Sequence, residues 1–484
     1  MTFHRSLAWV FGQFVVMLAI ELGGLAVLAR LLTPVELGWY AAALAVLEFA
    51  RFLGALELHT VIVRADRLDL AIRRQVVALA LGASGVVALL LLLVTFPGWA
   101  LLDEMPRELL LVMLPVLLLN CYAMTGHALL LREKRFDTLF FLKIAAAVVF
   151  LALAIPLALS GAGAQAMAVA MVGSSFAFAL LSVIATRGAF WVRPSFRGGA
   201  ETARLGGTVM AIAISHHATL AAVPLLVGRI AGYAALGQFS RADDFIRHGR
   251  RVLEDTVLPA IVPFVFDAAR DAEVRVEELR PRLLVALSNL TAVTWPGIVV
   301  VIIVSPPLVD LLLGGQWGDV PALLQILAVG FLAHPINAVA YVYAIALRRE
   351  AVLAWMSVAV LVATVALTIA LAQIGLVEVA VGVAAVQIAH GVGRVAIAMR
   401  PLGISALAVL RALCASAGVT AMTALPVLEV SGWLMQAGQP SFVVLGAAGV
   451  VAAPAWFAGI VLLRHPLGVE IKRALATLRS TSPG

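Results

Sequence analysis

Apolar stretches of about twenty residues recur along this chain from end to end, each long enough to cross a ~30 Å hydrocarbon layer as a helix. Backbone amides in lipid must find their partners within the protein, so only helices and closed barrels can span a membrane. The short alternating segments of a barrel do not occur, and the expected fold class is an all-α polytopic membrane protein. Composition agrees, because 63% of the 484 residues are hydrophobic and only 13% are charged. Hydropathy gives about fourteen spans, centred near residues 20, 50, 86, 119, 150, 175, 218, 250, 293, 334, 362, 388, 417 and 452. The first apolar core is too long for a signal peptide and no small-residue cleavage site follows, so it is read as an uncleaved span.

The loops sort by basic residues. One set carries Arg64, Arg67, Arg73 and Arg74, then Arg132, Lys134 and Arg135, then Arg187, Arg193, Arg197 and Arg204, and further on Arg270, Arg275, Arg280 and Arg282, Arg348 and Arg349, Arg400 and Arg411, and a basic tail. The alternate loops hold little beyond Arg30, Arg107 and Arg229, so both termini are expected on the cytoplasmic side. The net charge of +7 reflects this bias and the nearness of anionic lipid, not nucleic acid. Cys121 and Cys414 lie far apart in apolar segments, which indicates neither a disulfide framework nor a metal site. No Walker-type G-x-x-x-x-G-K-[ST] and no G-x-S-x-G occurs, so neither a cofactor nor a catalytic residue is expected.

One segment resists the pattern. Residues 239–257, FSRADDFIRHGRRVLEDTV, hold four arginines, four carboxylates and a histidine. If they did not cross the membrane, the arginine-rich loop 270–282 would land outside and every later loop would invert. As a helix, Arg241, Asp244, His248, Arg251 and Asp255 share a stripe ~80° wide. Asp243 with Arg247 and Arg250 with Glu254 stand at i and i+4, where opposite charges meet.

The chain also repeats itself. VLARLLTPVELGWYAAALAVLEFARF returns about 199 residues later as LVGRIAGYAALGQFSRADDFIRHGRR, with Arg30 on Arg229, Leu37 and Gly38 on Leu236 and Gly237, and Tyr40 on Phe239. A second pair, GHALLLREKRFDTLFFLKIAA and VAYVYAIALRREAVLAWMSVA, sets Arg132 and Glu133 opposite Arg349 and Glu350. Each half holds six spans, so the halves share an orientation and a cleft between two bundles is expected. The expected domains are an N-terminal six-helix bundle at 1–187, a cytoplasmic linker at 188–205, a second six-helix bundle at 206–400, and two accessory helices with a tail at 401–484.

These segments, with LLREKRFDTLFFLK and LLLGGQWGDVPALLQILAVGFLAHPINAV, resemble in order and spacing the polysaccharide-transporter branch of the MOP superfamily, the flippases of lipid-linked oligosaccharides. The likeness covers about residues 5–400; its more specific parts are the Leu-Thr-Pro-x-Glu-x-Gly turn and the Leu-Gly-x-x-Trp segment. It departs at GALELHTVIVRAD, where Glu57 and His59 interrupt a run that is small and apolar in relatives. The resemblance implies a bacterial inner-membrane flippase with a central cationic cavity, moving an undecaprenyl-diphosphate-linked sugar unit by alternating access. It would hand its cargo to polysaccharide polymerase and export machinery.

A charge at the bilayer centre costs about 2.5–3.5 kcal/mol, so the ionisable residues of 239–257 must face one another, another helix or water. They either hold a wet interior in shape or stand ready for a diphosphate, which the planar arginine fork suits. Arg51, Arg241, Arg247, Arg250 and Arg251 are the candidate phosphate contacts, and the repeat sets Glu48 and Arg51 opposite Arg247 and Arg250. His216 and His217 could donate to phosphate, one lining the cavity and the other the core. Glu21, Glu48 and Asp244 are candidates for coupling to a cation; Glu21, mid-span, is otherwise a protonated, hydrogen-bonded acid. Asn120, His127, His334, Asn337 and Tyr341 could bond sugar hydroxyls or join helices. Two other functions compete. A cation-coupled multidrug exporter should line its cavity with acids and aromatics, and a membrane glycan polymerase or ligase should carry a large outer loop.

Overall fold

The computed structural model describes residues 3–65, 67–95, 106–252, 279–347 and 349–472. These residues form seventeen helices, and twelve spans among them are long and apolar enough to cross a membrane. The protein is a multi-pass, all-helical membrane protein. Twelve of the expected spans coincide with these helices; the other two fall on α1 (Phe3–Leu31) and α10 (Tyr233–Val252). Charge keeps α10 from qualifying on apolarity alone. Residues 253–278, which carry Glu254, Asp255, Arg270 and Arg275, lie outside the described residues, as does Arg348.

The chain forms two compact units, residues 1–240 with 368–373 and residues 241–367 with 374–484. The first contains α1, α2 (Pro34–Ala55), α3 (Leu58–Arg64), α4 (Leu70–Val94), α5 (Arg107–Met113), α6 (Pro115–Arg132), α7 (Phe136–Leu159), α8 (Ala164–Ala185), α9 (Gly199–Ala231) and the opening turns of α10. Helix α2 is its hub and packs on α4, α6, α8 and α9. The short α3 buries Leu58 and Ile62 against Val76, Val77, Ala80, Cys121 and Ala128.

The Leu-Thr-Pro-x-Glu-x-Gly motif is a helix start. Thr33 is the N-cap, and its Oγ1 accepts the Glu36 N–H at 3.3 Å while Glu36 Oε2 accepts the Thr33 N–H at 2.8 Å. Pro34 occupies the first turn, where its missing N–H costs nothing. The glycine serves a different end. A Cβ on Gly38 would lie 1.8 Å from the Tyr233 carbonyl oxygen, and one on Gly237 would lie 1.9 Å from the Pro34 carbonyl oxygen. Residues 34 and 233, like 38 and 237, are repeat equivalents, so the two helix starts meet reciprocally through bare backbone.

The second unit holds the rest of α10 with α11 (Leu279–Leu312), α12 (Val320–Phe331), α13 (His334–Ala346), α14 (Glu350–Leu371) up to residue 367, α15 (Leu376–Leu402), α16 (Ala406–Gln436) and α17 (Ser441–Leu462). Helix α11 packs on α12, α13, α16 and α17, and α15 packs on α12 and α13. In the Leu-Gly-x-x-Trp segment Gly314 turns the chain at φ +91° and Trp317 is buried to 1%. In the second repeat pair the Arg135 N–H bonds the Leu130 carbonyl and the Arg349 N–H bonds the Ala344 carbonyl, each closing the turn after its helix.

Several loop arginines do more than carry charge. Arg132 Nη1 donates to the carbonyls of Ile62 and Ala65 at the end of α3, and Arg135 Nη1 donates to Ala185 at the end of α8, 3.0 Å away. In the second unit Arg280 donates to Leu402 and Gly403 at 3.0 and 2.9 Å. The last carbonyls of a helix lack intrahelical donors and carry the negative end of its dipole, so a cation there satisfies both.

Candidate functional site

The first unit supplies one polar cluster. Arg51 stands on α2 one turn after Glu48, and its Nη1 lies 2.7 Å from Glu48 Oε1. Its Nη2 donates to Asn120 Oδ1 of α6 at 3.1 Å, while its buried Nε meets no acceptor among the described residues. Asn120 therefore joins helices, one of the two roles considered for it. The neighbouring Phe52 stacks on His217 of α9, with ring centroids 3.9 Å apart and planes 17° from parallel. His216 is exposed and lies edge-on to His217, so the adjacent histidines part as helix geometry requires. Glu21 is half-buried on α1.

Just beyond Arg51 the helix breaks. Leu56 and Glu57 take φ of 47° and 52°, in the left-handed region that side chains with a Cβ adopt at a cost. Glu57 Oε2 then lies 3.1 Å from His59 Nδ1. The two residues that depart from the family pattern pair with each other where the chain turns from α2 into α3. Hydropathy could not show this break, because the apolar character runs on through it.

The second unit carries the charged part of α10. Arg241, buried to 6%, places Nη2 2.9 Å from Asp244 Oδ2. Asp244 Oδ1 lies 2.6 Å from Arg247 Nη2, and Arg247 Nε lies 3.1 Å from Asp243 Oδ2. The expected Asp243 and Arg247 pair forms, and Asp244 adds i,i+3 partners on both sides. His248 Nδ1 contacts the Asp244 backbone carbonyl, Arg250 is half-buried and Arg251 is exposed. The pairing of Arg250 with Glu254 and the place of Asp255 in the stripe fall outside the described residues.

Arg394 was passed over by the sequence reading, although a single arginine in an apolar stretch was signal enough. It is half-buried on α15, and its guanidinium carbon sits 4.9 Å from the Tyr341 ring centroid on α13. Among the described residues no three histidine, cysteine or carboxylate side chains gather as a metal site.

A family model described as "Polysaccharide biosynthesis protein" matches residues 27–322, more than half of the chain. No curated protein matches the sequence significantly. Among solved structures, lipid II flippase MurJ in its inward closed conformation superposes with a TM-score of 0.71 at 14% identity, covering 93% of this chain and 98% of that one. An inward-facing multidrug-resistance MATE family transporter of the MOP superfamily gives 0.62 at 16% identity, over 79% of this chain and 94% of its own. A MOP superfamily transporter from Pyrococcus furiosus gives 0.54 at 15%, over 81% and 93%. With the helical architecture and the matched segment in hand, the chain belongs to the polysaccharide biosynthesis protein family and has the fold of the MOP superfamily.

Proposed function

We propose that this protein is a flippase of a bacterial inner membrane, with both termini cytoplasmic, that carries an anionic, undecaprenyl-diphosphate-linked oligosaccharide between leaflets for surface polysaccharide synthesis. The observation that carries the reading is a set of arginines held within helices, Arg51 on the apolar α2 and Arg241 and Arg247 on the charged α10, each already tied to a carboxylate. Such pairs lower the cost of keeping the cation in the membrane, and a phosphate can replace the carboxylate with a stronger, bidentate partner. Family membership supports the glycan as cargo, and a transporter rather than an enzyme.

In this reading Arg51, Arg241, Arg247, Arg250 and Arg251 contact the diphosphate, with His216 and His217 as further donors. Glu48 and Asp244 release arginine as the phosphate arrives, and with Glu21 they are the candidates for cation coupling. Alternating access would come from rocking of the two six-helix bundles at 1–187 and 206–400, with the linker 188–205 between them and residues 401–484 as an accessory pair. The sugar would then pass to a polymerase and export system.

The test is a leaflet assay on proteoliposomes holding a fluorescent undecaprenyl-diphosphate disaccharide. Native protein should speed the exposure of label to a membrane-impermeant quencher, and Arg51→Gln and Arg241→Gln should each slow it at least about tenfold, the loss of a charge-assisted contact. Native rates in both variants, or lengthening of the sugar without movement, would remove this function.

A further inference from the structure

Helices α13 and α15 of the second unit present facing polar stripes. His334, Asn337 and Tyr341 follow one another at i, i+3 and i+7 on α13, and Gln387, His390 and Arg394 do so on α15, each set within ~60° of helix face. Small residues bring the backbones close beside these stripes: a Cβ on Gly391 would lie 3.1 Å from Ala333 Cβ at the start of α13, and one on Gly330, at the end of α12, 2.7 Å from Ala384 Cα of α15. The long side chains of Tyr341 and Arg394 meet further along, where the guanidinium lies over the ring.

Arg394 differs from the arginines of α2 and α10. Among the described residues it forms no ion pair, its ring contact is with neutral Tyr341, and its buried Nε lacks a hydrogen-bond partner. On the facing helix, one turn from Tyr341, Asn337 Oδ1 is also buried without a donor. Arg394 stands within the hydrocarbon layer, about one turn below its edge. It is two turns inside the end of a 27-residue helix, and a helix of that length, ~40 Å, overhangs a ~30 Å hydrocarbon layer by only about one turn at each end. A cation at that depth without a counter-charge, beside an orphaned acceptor and a Tyr ring that remains 38% exposed, is a site built for something not supplied by the described residues.

We infer that the α13–α15 face is a second substrate subsite that recognises the carboxylate of an acidic sugar. Arg394 grips the carboxylate, Tyr341 offers its ring to the sugar face, and Asn337 and Gln387 bond hydroxyls. A single guanidinium on the two stripes matches a monovalent anion; a diphosphate would call for the several arginines that α10 carries. The inference rests on the flippase reading above and narrows it, since the cargo would then be an acidic glycan rather than any lipid-linked sugar.

The experiment uses the full-length chain in nanodiscs and three probes: undecaprenyl diphosphate alone, bearing glucose, and bearing glucuronic acid. Native protein should bind the glucuronic probe about tenfold more tightly than the glucose probe, the worth of one charge-assisted contact. Arg394→Gln should erase that preference while leaving the other two affinities within about twofold, whereas Arg51→Gln should weaken all three. Arg394→Lys keeps the charge, loses the planar fork, and should retain only part of the preference; it decides the matter if Arg394→Gln does not fold. A native chain without preference, an Arg394 variant that leaves the preference intact, or a folded Arg394→Gln that weakens all three probes alike, which would make the residue a phosphate contact, overturns the subsite alone. Failure of the native chain to bind any probe removes the flippase reading and this one with it.

Discussion

His465 lies just past the last span, 2% exposed, with both ring nitrogens engaged. Its Nδ1 accepts the Leu467 N–H at 3.1 Å, and its Nε2 lies 3.0 Å from Ser288 Oγ and 3.3 Å from Ser416 Oγ. Ser416 Oγ donates to the Ser288 carbonyl at 2.8 Å, so the hydrogen in the ring contacts comes from Nε2 and the imidazole is neutral. A second proton would sit on Nδ1, against an N–H, and burial holds this pKa below the ordinary histidine value. The unfolded chain binds a proton near pH ~6.5 that the folded ring resists, so this contribution to stability is present above that pH and is lost as pH falls from it toward the folded value. The melting temperature in detergent should therefore fall more steeply between about pH 7.5 and 5.5 for the native chain than for His465→Gln, and equal slopes would show that the ring titrates freely. The ionisable residues of α10 and α2 were readable as chemistry from type and spacing alone. Their partners were only partly so: Asp243 with Arg247 follows from the 3.6-residue period, but Asn120 reaches Arg51 from another helix, 69 residues away. Ser288, Ser416 and His465 form one network across separations of 49 to 177 residues, and no local pattern announces it.

At the scale of helices, the reciprocal approach of α2 and α10 makes the sharpest demand on sequence. Gly38→Ala and Gly237→Ala would each drive a methyl group into a backbone carbonyl, at 1.8 and 1.9 Å, with no flexible side chain to yield. Each should lower stability by about 1–3 kcal/mol or more, as overpacking does, read as a drop in melting temperature. Unchanged melting in both would mean that the two helix starts do not touch in the membrane. The capping box at Thr33 and Glu36 was legible because every partner lies within one turn, and the motif that carries the family resemblance is in that sense local physics. The break at Leu56 and Glu57 was not legible, since neither residue is a usual left-handed former and the packing of α3 against α6 and α9 holds them there.

For the whole molecule, the alternation of basic loops leads us to expect both termini on the cytoplasmic side. A reporter active only outside the cytoplasm should be silent when fused after residue 484 and active when inserted at Gly438, in the turn between α16 and α17; the reverse pattern would invert the topology. Sequence alone determined that this chain is a multi-pass helical membrane protein, where twelve of its spans run, and to which family it belongs. Those properties depend on transfer of each segment from water to lipid and on contacts within a turn, and both are sums over neighbouring residues. Tertiary structure alone decided that Gly38 faces Gly237 through bare backbone, that Asn120 holds Arg51, and that Arg394 meets Tyr341 with no carboxylate at hand among the described residues. Each of these depends on which faces of separate helices are turned toward one another. In lipid that choice is made by close packing and polar pairing between helices, because burial of apolar surface no longer distinguishes one face from the next.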